Sequence, residues 1–285
     1  MKIGFNLLLY TGHVTEANYA VIEKLKATGY DGVEIPIFDV SNPAHFKGIG
    51  QVLKDNGLEC TAVTVLPDEA HNAISPVAAN RQGAIDHLKR VFECAHNAGV
   101  QTLCGPYYQV LGNFTGAFPT EAELAGAAEV HRAISPVAEA AGVKCAIEAL
   151  NRFECHLLNT MEQAAAYVKR VDHPNFGTMY DTFHANIEEK DPIGAIDTVW
   201  NSGKLNHVHI SENDRGTPGR GHANIKGAIK KLKTIGYDGW LTIEAFGSAL
   251  PDLAAATRVW RDFFPNPEQV YTEGYKLIRD TWDAS

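Results

Sequence analysis

Apolar residues recur at helical spacing along much of the chain, and these stretches end repeatedly at a glycine followed at once by an apolar, β-branched run. The junctions lie at Gly29 before Tyr30–Ile35, Gly57 before Leu58–Val63, Gly99 before Val100–Leu103, Gly142 before Val143–Ile147 and Gly236 before Tyr237–Ile243. Glycine takes the left-handed conformation that ends a helix without a Cβ clash, so each junction reads as a helix handing over to a strand. Two junctions share the tetrapeptide Gly-Tyr-Asp-Gly, at 29–32 and 236–239, which hints at a repeated unit.

Filling the gaps predicts strands near 2–8, 31–36, 59–66, 100–106, 144–150, 176–182, 205–211 and 240–246, each followed by a helical pattern. Caps or prolines at Thr15, Ser75-Pro76, Pro119-Thr120 and Asn159-Thr160 mark helix starts. Eight alternating units point to an α/β fold, a (β/α)8 TIM barrel, with a doubly wound open sheet as the alternative. No Gly-rich dinucleotide fingerprint follows the first strand, which weakens that alternative. The reading is one domain over 1–285, with an extended C-terminal helical segment at about 249–285 that carries Trp260, Phe263, Phe264, Tyr271, Tyr275 and Trp282. Such a segment either seals the barrel or meets another subunit.

Composition narrows the function classes. Hydrophobic residues are 45% of the 285 and charged residues 21%, as in an ordinary globule with a large core. A net charge of −9 disfavours nucleic acid or an anionic membrane as partner. The five cysteines, Cys60, Cys94, Cys104, Cys145 and Cys155, are never paired as C-x-x-C, so neither a disulfide framework nor a zinc ribbon is expected. The opening apolar run is too short to span a membrane and lacks a cleavage site, so a cytoplasmic protein is expected.

In a barrel, chemistry belongs at the C-terminal ends of the strands. Four consecutive predicted strands end in Glu148, Asp181, His209 and Glu244, spaced 33, 28 and 35 residues apart. Period two turns Ala146 and Glu148 inward with Ile147 outward, and Thr242 and Glu244 inward with Ile243 outward. Three converging carboxylates repel unless a cation neutralises them. Oxygen-rich ligation with one imidazole and no thiolate suits a divalent Mn²⁺, Mg²⁺ or Co²⁺ ion better than a structural zinc. His207 shares the face of His209 and is expected to support it by hydrogen bonding.

The segments Glu148-Ala149-Leu150-Asn151-Arg152-Phe153-Glu154, Asp181-Thr182-Phe183-His184, His207-Val208-His209 with Arg215, and Ile243-Glu244-Ala245-Phe246 resemble the D-tagatose 3-epimerase family of ketose 3-epimerases. That family lies within the xylose-isomerase-like barrels, and the resemblance covers essentially the whole chain. It implies that Glu148, Asp181, His209 and Glu244 bind one divalent ion, Mn²⁺ before Co²⁺ or Mg²⁺, and that Glu148 and Glu244 are also the acid/base pair. By the same resemblance Glu154, His184 and Arg215 hold the ketose, and the segment 215–222 is a substrate-covering loop; read alone it is an ordinary flexible turn. Tyr107, Tyr108 and Phe246, at other strand ends, are candidate pocket walls. Ala149 stands where many members carry proline. The implied substrates are free ketoses epimeric at carbon 3 (L-ribulose/L-xylulose, D-tagatose/D-sorbose, D-fructose/D-psicose), and the opening Gly4–His13 leans toward L-ribulose. A homodimer or homotetramer is implied.

Epimerisation at carbon 3 requires removing a proton beside the carbonyl and returning one to the opposite face, through an enediolate that a Lewis acid stabilises. Rival readings are an aldose–ketose or hydroxypyruvate-type isomerase on the same barrel and a non-catalytic sugar-binding barrel. A metal-dependent apurinic endonuclease would need histidines at the ends of strands 2 to 4, where Glu34, Thr64 or Val65, and Tyr107 stand.

Overall fold

A computed structural model describes residues 1–285. Eight parallel strands close in sequence order into a barrel, β1 (Lys2–Asn6), β2 (Gly32–Pro36), β3 (Glu59–Val63), β4 (Val100–Gly105), β5 (Lys144–Ile147), β6 (Phe176–Asp181), β7 (Leu205–Ile210) and β8 (Trp240–Ile243). Around it run α1 (Tyr19–Thr28), α2 (His45–Asp55), α3 (Ala78–Ala98), α4 (Glu121–Ala140), α5 (Met161–Val171), α6 (Thr182–Glu188), α7 (Ala195–Asn201), α8 (Ile225–Thr234), α9 (Pro251–Thr257) and α10 (Pro267–Asp283). The open-sheet alternative is excluded, because β8 pairs with β1 through Lys2↔Trp240 to Phe5↔Ile243.

The five junction glycines have φ between 62° and 114°, the left-handed region in which a Cβ would be strained. Every strand is shorter at its C-terminal end than its sequence reading, by one to three residues except for β2, because the chain leaves the ladder as it enters the mouth loops. Glu148 and Glu244 therefore follow the last strand residue, yet each still donates its N–H into the sheet, to Gly105 O at 3.0 Å and Ile210 O at 3.2 Å. Their carboxylates are thus held by rigid sheet backbone.

Outward-facing strand side chains pack under the helices. Phe5 meets Tyr30 edge-on at 5.7 Å and Tyr271 of α10 at 6.2 Å, and Tyr30 reaches Tyr275 at 5.2 Å. The C-terminal segment is therefore two helices, of which α10 takes the eighth helix position and covers β1 and β8. Apolar aromatics remain exposed on loops at the mouth: Phe118, Phe153 and Trp260. No helix is long and apolar enough to cross a membrane.

Candidate metal and sugar site

Asp181 is the last residue of β6 and the N-cap of α6. Its Oδ1 accepts the N–H groups of Phe183 (2.6 Å) and His184 (2.9 Å), which fixes the carboxylate and leaves Oδ2 facing the barrel axis. The register sets Asp181 beside His209. From His209 Nδ1 the distances are 3.6 Å to Asp181 Oδ2, 3.4 Å to Glu244 Oε1 and 4.0 Å to Glu148 Oε1. Three of these buried atoms, Glu148 Oε1, Asp181 Oδ2 and His209 Nδ1, have no hydrogen-bond partner. Buried polar atoms are normally satisfied, so three orphans aimed at one point mark a place for a cation. The sequence-derived set of four comes together as a unit.

The electrostatics agree with this reading. Burial and the neighbouring Glu244 charge push the Glu148 carboxyl well above its usual range. Burial likewise raises Glu244 to about 7, although His209 and Arg215 oppose it. For Asp181 burial is outweighed by His209, His184 and Arg215, and it falls to about 2. Burial disfavours charge on His209, but Glu34 and Glu244 overcome this and hold its imidazole well above the usual range. Protons thus take the place of positive charge in a centre built around more carboxylates than it can ionise alone.

The sugar-binding candidates adjoin this centre. The backbone N–H of Asn151 donates to His184 Nδ1 at 2.9 Å, which puts the imidazole proton on Nε2. Burial and the Arg215 charge lower His184 to about 4, so the ring is neutral at pH 7. Its Nε2 lies 3.6 Å from Glu148 Oε1 and 3.2 Å from Arg215 Nη2. Two donors facing each other are unfavourable as they stand, and an acceptor oxygen between them would satisfy both. Arg215 adopts φ 63° and is clasped by Glu244 Oε2 (2.6 Å) and Glu154 Oε1 (3.2 Å), with Phe183 and Phe246 3.8 and 4.8 Å from its guanidinium carbon. Glu154 also accepts from Asn151 Nδ2 at 2.8 Å.

Tyr107 is a correction. Its ring is fully buried, edge-on to His131 of α4, and Tyr108 is buried against Cys155 (3.2 Å), so neither walls the mouth. The physical reason for Tyr107 is period two itself: Cys104 faces the interior, 3.3 Å from Glu34 Oε2, so Tyr107 falls on the outer face under α4. The segment after β7 is likewise no ordinary flexible turn. Buried Glu212, which sequence reasoning missed, accepts the N–H groups of Asn213 (3.0 Å), Gly219 (2.8 Å) and Ala223 (2.9 Å), while Arg220 pairs with Glu273 of α10. Replacing Glu212 with Ala is expected to cost about 2–4 kcal/mol, because three N–H groups lose a charged acceptor. Thermal melting and limited proteolysis check this: the variant should melt earlier and be cut within 213–222, and wild-type behaviour in both assays would refute it.

Sequence reasoning also missed the layer beneath. Glu34 lies mid-strand in β2, fully buried and facing inward, with His209 Nε2 2.7 Å from Oε1. His207 Nε2 lies 2.8 Å from Glu34 Oε2, at an angle too oblique for a directed hydrogen bond.

Comparison with known proteins places these features among relatives. Residues 22–281 match the family described as xylose isomerase-like TIM barrel. A ketose 3-epimerase of Arthrobacter globiformis is 32% identical across the whole of this chain and 98% of its own length. A D-psicose 3-epimerase of Ruminiclostridium cellulolyticum is 34% identical over 87% of this chain and 85% of its own. The crystal structure of D-psicose 3-epimerase with D-tagatose from Clostridium cellulolyticum H10 superposes with a TM-score of 0.88 at 28% identity, over 99% of both chains.

Proposed function

The chain belongs to the ketose 3-epimerases of the xylose isomerase-like TIM barrel family, and we propose that it interconverts free ketoses epimeric at carbon 3, with L-ribulose/L-xylulose, D-tagatose/D-sorbose and D-fructose/D-psicose as the candidate pairs. The observation that carries this reading is the convergence of the unpartnered Glu148 Oε1, Asp181 Oδ2 and His209 Nδ1 beside two further carboxylates and two donors. Glu148, Asp181, His209 and Glu244 would hold one divalent ion, Mn²⁺ before Co²⁺ or Mg²⁺. Bound there, the ion supplies Lewis-acid stabilisation of negative charge developing next to the reacting carbon.

The remaining work falls to the side chains. Glu148 and Glu244 approach the centre from β5 and β8, so a sugar carbon between them has a carboxylate on each face. One takes the proton from carbon 3, the other returns one, and their roles exchange with direction. His184 Nε2–H and Arg215 donate to the carbonyl or a hydroxyl, and Glu154 accepts from a further hydroxyl. Phe183 and Phe246 fix the guanidinium and help exclude water. Self-association into a homodimer or homotetramer through the exposed aromatics of the mouth loops completes the reading, and sedimentation velocity reads it directly.

Incubation with Mn²⁺ and each ketose in deuterated water tests the proposal. Deuterium at carbon 3 of a newly formed epimer is expected; label at carbon 1 alone would instead identify an isomerase, and no label a sugar-binding barrel. A pH dependence follows from the shifted groups. Glu244 holds its proton up to about pH 7 in the absence of a cation, burial and the Glu244 charge push Glu148 well above the usual carboxylate range, and these protons compete with the cation. Apparent Mn²⁺ affinity should therefore rise from pH 6 to 8 with proton release on binding. Calorimetry in buffers of different ionisation enthalpy measures this, and a pH-independent, proton-neutral isotherm would refute it.

A further inference from the structure

Below the proposed metal centre, the barrel interior holds a second polar layer that meets the four ligands at His209 and Glu244. Glu34 is at its middle. Its Oε1 accepts from Asn6 Nδ2 at 3.0 Å and faces His209 Nε2 at 2.7 Å; its Oε2 accepts from Thr61 Oγ1 at 2.9 Å and Cys104 Sγ at 3.3 Å, with His207 Nε2 2.8 Å away. All six residues are fully buried or within 1% of it.

Glu34, Cys104, His207 and His209 also offer donors for a second ion. Spacing decides against that use. Four ligands at 2.0–2.1 Å from one tetrahedral ion stand about 3.3 Å apart, whereas His209 and His207 approach Glu34 at 2.7 and 2.8 Å, which are hydrogen-bond and ion-pair distances. The layer is packed around a carboxylate.

We propose that Glu34 is a positioning residue for the metal centre: by accepting the Nε2–H of His209 it fixes the tautomer whose Nδ1 lone pair faces the cation, and through Asn6 it also holds Glu244. The link to Glu244 is direct, because the same Asn6 amide that donates to Glu34 donates to Glu244 Oε1 at 3.2 Å. Asn6 cannot swing away, since its Oδ1 accepts the N–H of Leu8 at 2.9 Å. β1 and β2 are thereby tied to a centre whose ligands all come from β5 to β8. A metal-bound histidine whose other nitrogen donates to a carboxylate is oriented and made more basic, and loss of such a partner costs about 10–100-fold in metal affinity.

The inference rests on the reading that Glu148, Asp181, His209 and Glu244 hold a cation, and the experiment separates the two. Mn²⁺ dissociation constants are measured for wild type and for Glu34→Gln, which keeps the shape and one acceptor but removes the charge. Wild type should bind one ion per chain, and the variant should bind it about 10–100-fold more weakly. In parallel, nitrogen-15 correlation spectra of the imidazoles of the Mg²⁺-loaded wild-type protein, assigned by loss of the signal in His209→Gln, should give His209 a protonated Nε2 and an unprotonated Nδ1. This second measurement needs no variant and stands even if Glu34→Gln does not fold. Equal affinity in folded Glu34→Gln, or an Nδ1-protonated His209 in the loaded protein, overturns the inference while leaving the centre intact. Two ions per chain, with a Co²⁺–thiolate absorption band lost in Cys104→Ser, also overturns it, because the layer would then be a metal site. Wild type that binds no ion overturns both readings.

Discussion

Glu244→Gln and Glu148→Gln are each expected to lower kcat for carbon 3 epimerisation by about 10²–10⁴-fold, the usual worth of a positioned acid or base. The sharper expectation concerns proton exchange. If the two carboxylates serve opposite faces of the sugar, each variant keeps one working base. It should still wash the carbon 3 proton of one epimer into deuterated water while forming almost none of the other, and the two variants should favour opposite epimers. Both residues are also proposed ligands, so metal content must be measured beside turnover. Arg215 pairs with Glu244 at 2.6 Å, whereas Glu148 faces the neutral His184 at 3.6 Å, so the two losses need not be equal. Full turnover in either variant with metal retained, or identical exchange patterns in both, would sink the two-base scheme.

How far the sequence foretold this arrangement follows from backbone geometry. The four ligand candidates were legible because each ends an apolar run, and period two turns them to the interior whatever the exact strand boundary. Their neighbours Ile147, Tyr180 and Ile243 are buried against the helices, as alternation requires. The same logic applies to Val33-Glu34-Ile35, a carboxylate flanked by apolar residues in a parallel strand, although the predicted strand 31–36 sets Glu34 near its end. It lies two residues before the end of β2, at the level of Asn6 and Thr61, with which it is in register. One acidic side chain in an otherwise apolar strand was the available signal.

Tyr107 failed for the opposite reason. Its place at a strand end suggests the mouth, but Cys104 faces Glu34 and His209 in the interior, so period two turns Tyr107 to the outer face against α4. Nothing local distinguishes Glu212 from a solvated loop acid, because its three N–H partners are up to eleven residues away and meet it only when the loop folds back. The C-terminal aromatics were half legible. Tyr271 and Tyr275 sit at helical spacing and seal the barrel against Phe5 and Tyr30, whereas Trp260, in the link between α9 and α10, is exposed.

Stripping the protein with a chelator is expected to abolish epimerisation and to lower the melting temperature, and Mn²⁺ should restore both. Glu148, Asp181, Glu244 and Glu34 lie in one buried region opposed by Arg215 and His209. A cation that binds only the folded chain adds about 2.7 kcal/mol of stability at one hundred times its dissociation constant. At about 2–4 °C per kcal/mol for a large single domain, that is a rise of about 5–10 °C. Asp181→Asn should remove most of this rise. The amide can still accept the N–H groups of Phe183 and His184 through its oxygen, so the cap on α6 survives while the charge aimed at the centre is lost. The stripped variant should melt somewhat below the stripped wild type, since His209, His184 and Arg215 hold Asp181 down to about 2 and its charged form stabilises the fold. A melting temperature indifferent to Mn²⁺ in the wild type would refute the cation site. An undiminished rise in Asp181→Asn would remove Asp181 from the ligand set and leave the other three.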